Sequence, residues 1–354
     1  MKKTFLTVAL LSAFSSTVFA QSSVTFYGVA DVGVQGLSAG FGKTESVQSG
    51  QESPSRLGFK GTEDLGSGLK GNFVLEQGIN LSNGASSQGS AIFGRRSTVG
   101  LSGDFGAINM GHDKTTTFKF FDNFDPFASG FINNGNGLSG IYYIGGTATT
   151  AGVSSTTRGF NSNSIYYETP NTLSGFSALG QYGAGEKAGD NTAGRSFGLN
   201  LGYKAAGFEV GYNFVKDNIQ NAQLVTNAIK SNTVAVNYDF GVAKPVFIYQ
   251  KESDDVGTSI KTFTLGVIVP VDVAGKVLAT YTNLKNDTVL PSGAIAGSAK
   301  QFAVGYQYAL SKRTDLYAAY ARTNQDANST GFAGVVSAAG ANINELTAGV
   351  RHQF

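Results

Sequence analysis

The residues able to do chemistry in this chain are few, and most of them are ionic. There is no Cys, and His112 and His352 are the only imidazoles. Thiol catalysis, Cys-held zinc and a Ser-His-Asp relay therefore have little to build on. What recurs instead is charge at strand spacing. Arg56 and Lys60 lie four apart with Gly58 between them, opposite Leu57 and Phe59. In an extended chain alternate residues share a face, so both cations point the same way. The same parity groups Arg96 with Thr98 and Gly100, and Arg95 with Val99 and Leu101. Asp113, Asp122 and Asp125, with Asp31 and Glu76, are candidate acidic partners. Opposed charge across a narrow aqueous passage makes a transverse field that orients dipolar solutes and biases small ions. The competing use of such charges is ordinary solvation in wide vestibules, where the screening length at about 0.15 M salt is about 8 Å. No catalytic residue, metal or cofactor is indicated.

Composition sets the frame that must position these charges. Of 354 residues, 14% are charged and 48 are Gly, against about 25% charged in ordinary soluble domains. No apolar run reaches the roughly 18 residues that a membrane-spanning helix needs. The first twenty residues read as a secretory signal. Lys2 and Lys3 precede an apolar stretch from Phe5 to about Phe14, which is followed by Ser15, Ser16 and Thr17 and then by Val18-Phe19-Ala20. That stretch is too short for an anchoring helix. Cleavage after Ala20 leaves residues 21–354 as one domain of 354 − 20 = 334 residues. Lys2 and Lys3 leave with the signal, so 26 − 2 = 24 basic residues balance 24 acidic ones. A neutral chain offers no bulk attraction for nucleic acid, so charge must act through its placement.

Beyond the signal, one pattern repeats. Phe197, Leu199, Leu201 and Tyr203 alternate with Ser196, Gly198, Asn200 and Gly202, and Phe208, Val210, Tyr212 and Phe214 continue it after a short turn. Each such segment has one apolar and one polar face. The apolar sets often end in Phe or Tyr, which suits a membrane interface better than the core of a soluble sandwich. Lipid cannot satisfy backbone N–H and C=O groups, so such strands must close into a barrel. The fold class is all-β, an antiparallel transmembrane β-barrel. Sixteen strands are predicted near 23–36, 54–63, 69–80, 92–102, 107–120, 163–169, 175–183, 195–204, 207–216, 232–240, 244–252, 260–269, 275–285, 300–310, 314–323 and 343–354. Short turns alternate with longer loops rich in Gly, Ser and Asn, among them 38–53. An even count of this size leaves an aqueous channel. The longest connection, Phe121 to Asn161, is too long for a plain connector. It is expected to fold into the lumen as a constriction; the alternative is an external loop.

Several segments resemble the general porins of Gram-negative β-proteobacteria, the neisserial and Burkholderia-type trimeric family. They are Ser23-Val24-Thr25-Phe26-Tyr27-Gly28, Ser55-Arg56-Leu57-Gly58-Phe59-Lys60-Gly61, Phe93-Gly94-Arg95, Tyr308-Ala309-Leu310-Ser311-Lys312-Arg313-Thr314 and the ending Gly349-Val350-Arg351-His352-Gln353-Phe354. The resemblance implies a homotrimer in the outer membrane that passes ions and small hydrophilic solutes by passive diffusion. It implies contact with outer-membrane lipid and lipopolysaccharide, and a Phe354 read by the assembly machinery. It also implies pore-wall roles for Arg56, Arg95 and Arg158. Arg158 resembles a pore-lining arginine, whereas His112 stands where the family usually has Arg. Parity favours Arg96 and the family pattern favours Arg95; a β-bulge would reconcile them, since one extra residue reverses the facing. Weak anion selectivity is the expectation by resemblance. The rival readings are a plugged structural or adhesive barrel, which would carry no stepwise current, and a barrel enzyme.

Overall fold

The computed structural model describes residues 23–128, 159–220, 226–288 and 297–354, except residues 187, 191, 256, 258, 328, 330, 333 and 334. Between 129 and 158 it describes 132–133 and 136–137. The expected signal segment and Arg158 lie outside the described residues.

The alternating segments form one closed antiparallel sheet of sixteen staves. The staves are β1 (Ser23–Ser38), β2 in two pieces, β2a (Lys43–Ser49) and β2b (Arg56–Gly66), β3 (Leu69–Gly78), β4 (Arg96–Gly103) and β5 (Gly106–Lys114). Then come β6 (Phe160–Glu168), β7 (Phe176–Gly183), β8 (Ser196–Ala205), β9 (Phe208–Gln220), β10 (Thr226–Tyr238) and β11 (Lys244–Ser253). The last five are β12 (Ser259–Pro270), β13 (Gly275–Asn286), β14 (Ala299–Ala309), β15 (Thr314–Gln325) and β16 (Ile343–Gln353). The ring closes where β1 pairs with β16, from Val29↔Gln353 to Ser38↔Asn344.

Burial is inverted relative to a soluble protein. Val34, Phe59, Val99, Met110, Leu201 and Phe302 are exposed, whereas Asp31, Asn213, Thr233, Thr264 and Gln301 are buried. A large apolar belt with polar residues inside is what hydrocarbon outside and water inside require. Inward polar side chains satisfy one another across the staves, as in Thr264···Thr282 at 2.8 Å and Gln301→Thr323 at 3.0 Å. Aromatic pairs gather at the short-turn rim: Phe176–Tyr203 at 4.6 Å, Tyr238–Phe240 at 4.5 Å and Phe26–Phe354 at 5.7 Å. One of the two-residue turns joins the pair Ala205↔Phe208 through Ala206 and Gly207, at φ 49° and 83°. Two positive φ values in a two-residue loop match the twist of the strands they connect.

Two elements differ from the sequence reading. The strand expected over 107–120 stops at Lys114, and helix α1 (Thr116–Phe124) begins. The Thr115 hydroxyl caps it by accepting the Phe118 N–H at 3.1 Å. The segment 38–53, expected as an external loop, contains β2a, which pairs with β1 from Val32↔Ser49 to Ser38↔Lys43. Its polar sequence, Lys43-Thr44-Glu45-Ser46-Val47-Gln48-Ser49, hides the alternation that marks the other strands.

Helix α1 lies inside the barrel. The inward residues of β7, β8 and β9 hold it: Gln181 Oε1 accepts the Thr116 N–H at 3.0 Å, and Asn200 donates to the Thr116 carbonyl at 2.8 Å. Phe120, Phe121 and Phe124 cluster with Ala235, Val246 and Ile248, an apolar patch on the inner face of β10 and β11. Further on, Phe127 joins Leu278, Ala303 and Ala319 on β13 to β15. The wall makes room with glycine. A Cβ on Gly198 would come within 2.3 Å of Thr116, on Gly211 within 2.5 Å of the Phe124 ring, on Gly266 within 2.6 Å of Pro126 and on Gly305 within 2.8 Å of Phe127. The segment therefore follows the inner wall from β7 to β14 and narrows the lumen, as expected for a constriction loop.

Candidate functional site

The face of α1 turned away from the wall looks across a space of about 720 Å³, lined on one side by Arg56, Lys60 and Glu76 and on the other by Lys119 and Asp122. Each side chain is set there by its element. β2b alternates inward Arg56, Gly58 and Lys60 with outward Leu57 and Phe59. Gly58↔Glu76 and Glu76↔Arg96 are cross-strand neighbours, so one inward row carries both charges.

Glu76 is the hub of the cationic wall. Its carboxylate accepts Arg95 Nε at 2.7 Å and the Tyr27 hydroxyl at 2.9 Å, and lies 3.7 Å from Arg56 Nε. Arg96 binds Asp113 through two bonds, at 2.7 and 3.1 Å. Such a fork fixes direction as well as charge. Lys119 Nζ sits 3.4 Å from Asp113 and 2.8 Å from Glu168, and Lys114 donates to Asp122 at 2.6 Å. Arg95 also lies over the Phe160 ring at 5.3 Å and Lys114 over Phe118 at 4.4 Å. Aromatic faces hold cations without neutralising them. Lys60 is exposed, stands over Tyr27 at 5.4 Å and has no acidic partner among the described residues.

The structure brings Arg56, Lys60, Arg95, Arg96, Asp113 and Asp122 into this one region. Arg95 and Arg96 both bond acids on the lumen side. Arg95 precedes β4, which starts at Arg96 rather than at 92, so strand parity does not govern it; no bulge is needed. Asp125 is elsewhere. It ends α1, is buried, and accepts the Phe127 N–H at 3.1 Å, so it shapes the loop from within. His112 has its ring nitrogens 2.9 Å from Ser162 Oγ and 2.9 Å from the Gly94 carbonyl oxygen.

Sequence reasoning missed Lys114, Lys119 and Glu168. The first two were obscured by reading 107–120 as one strand. A signal existed: Thr117, Phe120, Phe121 and Phe124 follow Thr115 at helical spacing. The region holds six cations (Arg56, Lys60, Arg95, Arg96, Lys114, Lys119) against four carboxylates (Glu76, Asp113, Asp122, Glu168), a surplus of two.

Comparison with known proteins agrees with this geometry. A family model described as Gram-negative porin matches residues 7–328. The chain belongs to that family. The porin is 35% identical to outer membrane porin protein 32 of Delftia acidovorans over 372 aligned positions, covering all of both chains. It is 30% identical to an outer membrane porin protein of Bordetella pertussis, again over the whole of both. Among solved structures, an anion-selective porin from Comamonas acidovorans superposes with a TM-score of 0.81 at 29% identity, covering 94% of this chain and 100% of the other. OmpT of Vibrio cholerae, at 17% identity and a TM-score of 0.68, shares the fold. This porin is an outer-membrane β-barrel channel.

Proposed function

We propose that this porin is a general diffusion pore with a weak preference for anions. The observation that carries the reading is the surplus of two cations beside the 720 Å³ space between β2b and α1. In a narrow passage walled by low dielectric, such a surplus raises the local anion concentration although the mature chain is neutral. No chemical step or bound nucleotide is involved; solutes move down their gradients. The similarity to an anion-selective porin supports the same sign.

The filter on this reading is Arg56, Lys60, Arg95, Arg96 and Lys114 facing Asp122, with Glu76 and Asp113 setting the orientation of the arginines. The test is the reversal potential in a salt gradient across a planar bilayer. Arg56→Ser removes the partly exposed guanidinium, side chain 22% accessible, and moves the potential toward cations. An unchanged potential removes Arg56 from the filter.

The reading extends to processing and assembly. The first twenty residues act as a signal cleaved after Ala20, so the mature protein starts at Gln21; Edman sequencing that finds another first residue contradicts this. The chain assembles as a homotrimer, by family likeness. Phe354 supplies the assembly signal while it packs on Phe26 and pairs with Gly28 through backbone bonds of 3.0 and 3.1 Å.

A further inference from the structure

Between Ser49 and Arg56 the second stave leaves the wall. Val32 pairs with Ser49 and Val29 with Arg56, so 32 − 29 = 3 steps on β1 face 56 − 49 = 7 steps on the other chain. Residues 50–55 fold inward, and Asp31 organises them. Its carbonyl oxygen accepts the Gly50 N–H at 2.8 Å and the Ser55 hydroxyl at 2.8 Å, closing the mouth of the fold. Its carboxylate accepts the Glu52 and Ser53 N–H groups at 2.9 and 2.6 Å and the Tyr317 hydroxyl at 2.6 Å. The fold in turn presents the Ser53 hydroxyl and the Pro54 carbonyl to Arg56 Nη1, at 3.0 and 2.7 Å. The guanidinium is thus gripped from behind by the fold and from the side by Glu76.

The far end of the fold is held by Glu52. Its Oε1 takes Arg351 at 3.1 Å and Gln307 at 2.5 Å. Arg351 also binds Asp315 Oδ2 at 2.7 Å. The other oxygens of these two acids, Glu52 Oε2 and Asp315 Oδ1, are both buried with no donor from any other group among the described residues. Two carboxylates side by side in a buried site avoid that cost when one carries a proton and donates it to the other.

We propose that the inward fold of residues 50–55 is the holder of Arg56, with Asp31 and Glu52 as positioning residues and with a proton between Glu52 and Asp315 keeping the holder closed. This rests on the reading of Arg56 as a filter residue. The charged and titratable groups facing Glu52 are Asp31 on β1, Asp315 and Tyr317 on β15, Arg351 on β16 and Lys276 on β13. A proton shared by the two carboxylates favours the closed form at acid pH, and the advantage is lost as rising pH removes that proton.

The test uses the full mature protein in planar bilayers, reading the anion-to-cation permeability ratio from pH 6 to pH 10. In the native form the ratio falls as pH rises across this range. E52Q, which keeps the shape and supplies a permanent donor to Asp315, retains the native ratio at pH 7 and shows a smaller fall; titration of the lysines away from Glu52 affects both proteins alike. E52A at pH 7 shifts the ratio at least halfway toward that of R56S, and shifts nothing further when R56S is already present. Identical pH curves for the native form and E52Q overturn the shared proton. An E52A shift of the same size with or without R56S shows that Glu52 does not act through Arg56, and overturns the holder. If R56S alone changes nothing, the filter reading fails and the holder fails with it.

Discussion

At the scale of single residues, the constriction is a set of buried ion pairs that are costly to break one side at a time. Arg95 is 2% exposed and Glu76 4%, and the Arg95–Glu76 contact is 2.7 Å. Removing one partner of a buried pair leaves an uncompensated charge, worth about 3–5 kcal/mol. Glu76→Ala is therefore expected to lower barrel stability by about that amount, and Lys60→Ala, whose partner is only a ring, by less than about 1 kcal/mol. Urea unfolding of the protein in lipid vesicles measures both; equal losses would show that Glu76 is not the hub. The facing of Arg56 and Lys60 was legible from parity because both lie inside a regular strand. Arg95 was not, because it stands one residue before β4, where the period of two does not apply.

At the scale of elements, lipid-facing alternation is a strong sequence signal and explains why the staves were legible along nearly the whole described chain. It failed where the physical demand changed. β2a has few apolar residues, so its face is set by pairing with β1. Helix α1 meets protein rather than lipid, and its phenylalanines at helical spacing resemble one more apolar strand when read two by two. The inner wall carries a complementary mark: Val246-Phe247-Ile248-Tyr249 is apolar on both faces, with Val246 and Ile248 buried and Phe247 and Tyr249 exposed. The glycines under the loop make the seating testable. Gly211→Leu places atoms where the Phe120 and Phe124 rings now lie, at 2.8 and 2.5 Å from the first added carbon. Overpacking of this kind costs about 1–3 kcal/mol and displaces whichever element yields more easily. The helix, tied at its ends, yields before the closed sheet. Single-channel conductance of Gly211→Leu is predicted to differ from the native value with trypsin resistance of the barrel retained. A native conductance would mean that the helix is not seated on Gly211.

At the scale of the whole molecule, the chain reverses the usual partition of side chains, and function follows from that reversal. Valine, leucine and phenylalanine cover the outside of a ring of sixteen staves whose backbone groups are satisfied within the sheet. The interior is left to threonine, asparagine, glutamine and paired charge, surfaces that hold water. One loop, seated on glycine and an apolar patch, reduces that interior to a passage with a cationic surplus. The measurement that tests this most directly is planar-bilayer recording of the purified protein. The prediction is stepwise, ohmic current with a reversal potential on the anion side in a salt gradient, and closure in three equal steps when each particle carries three pores. A protein that inserts but carries no discrete current would contradict an open aqueous lumen, and with it the reading of this barrel as a diffusion channel.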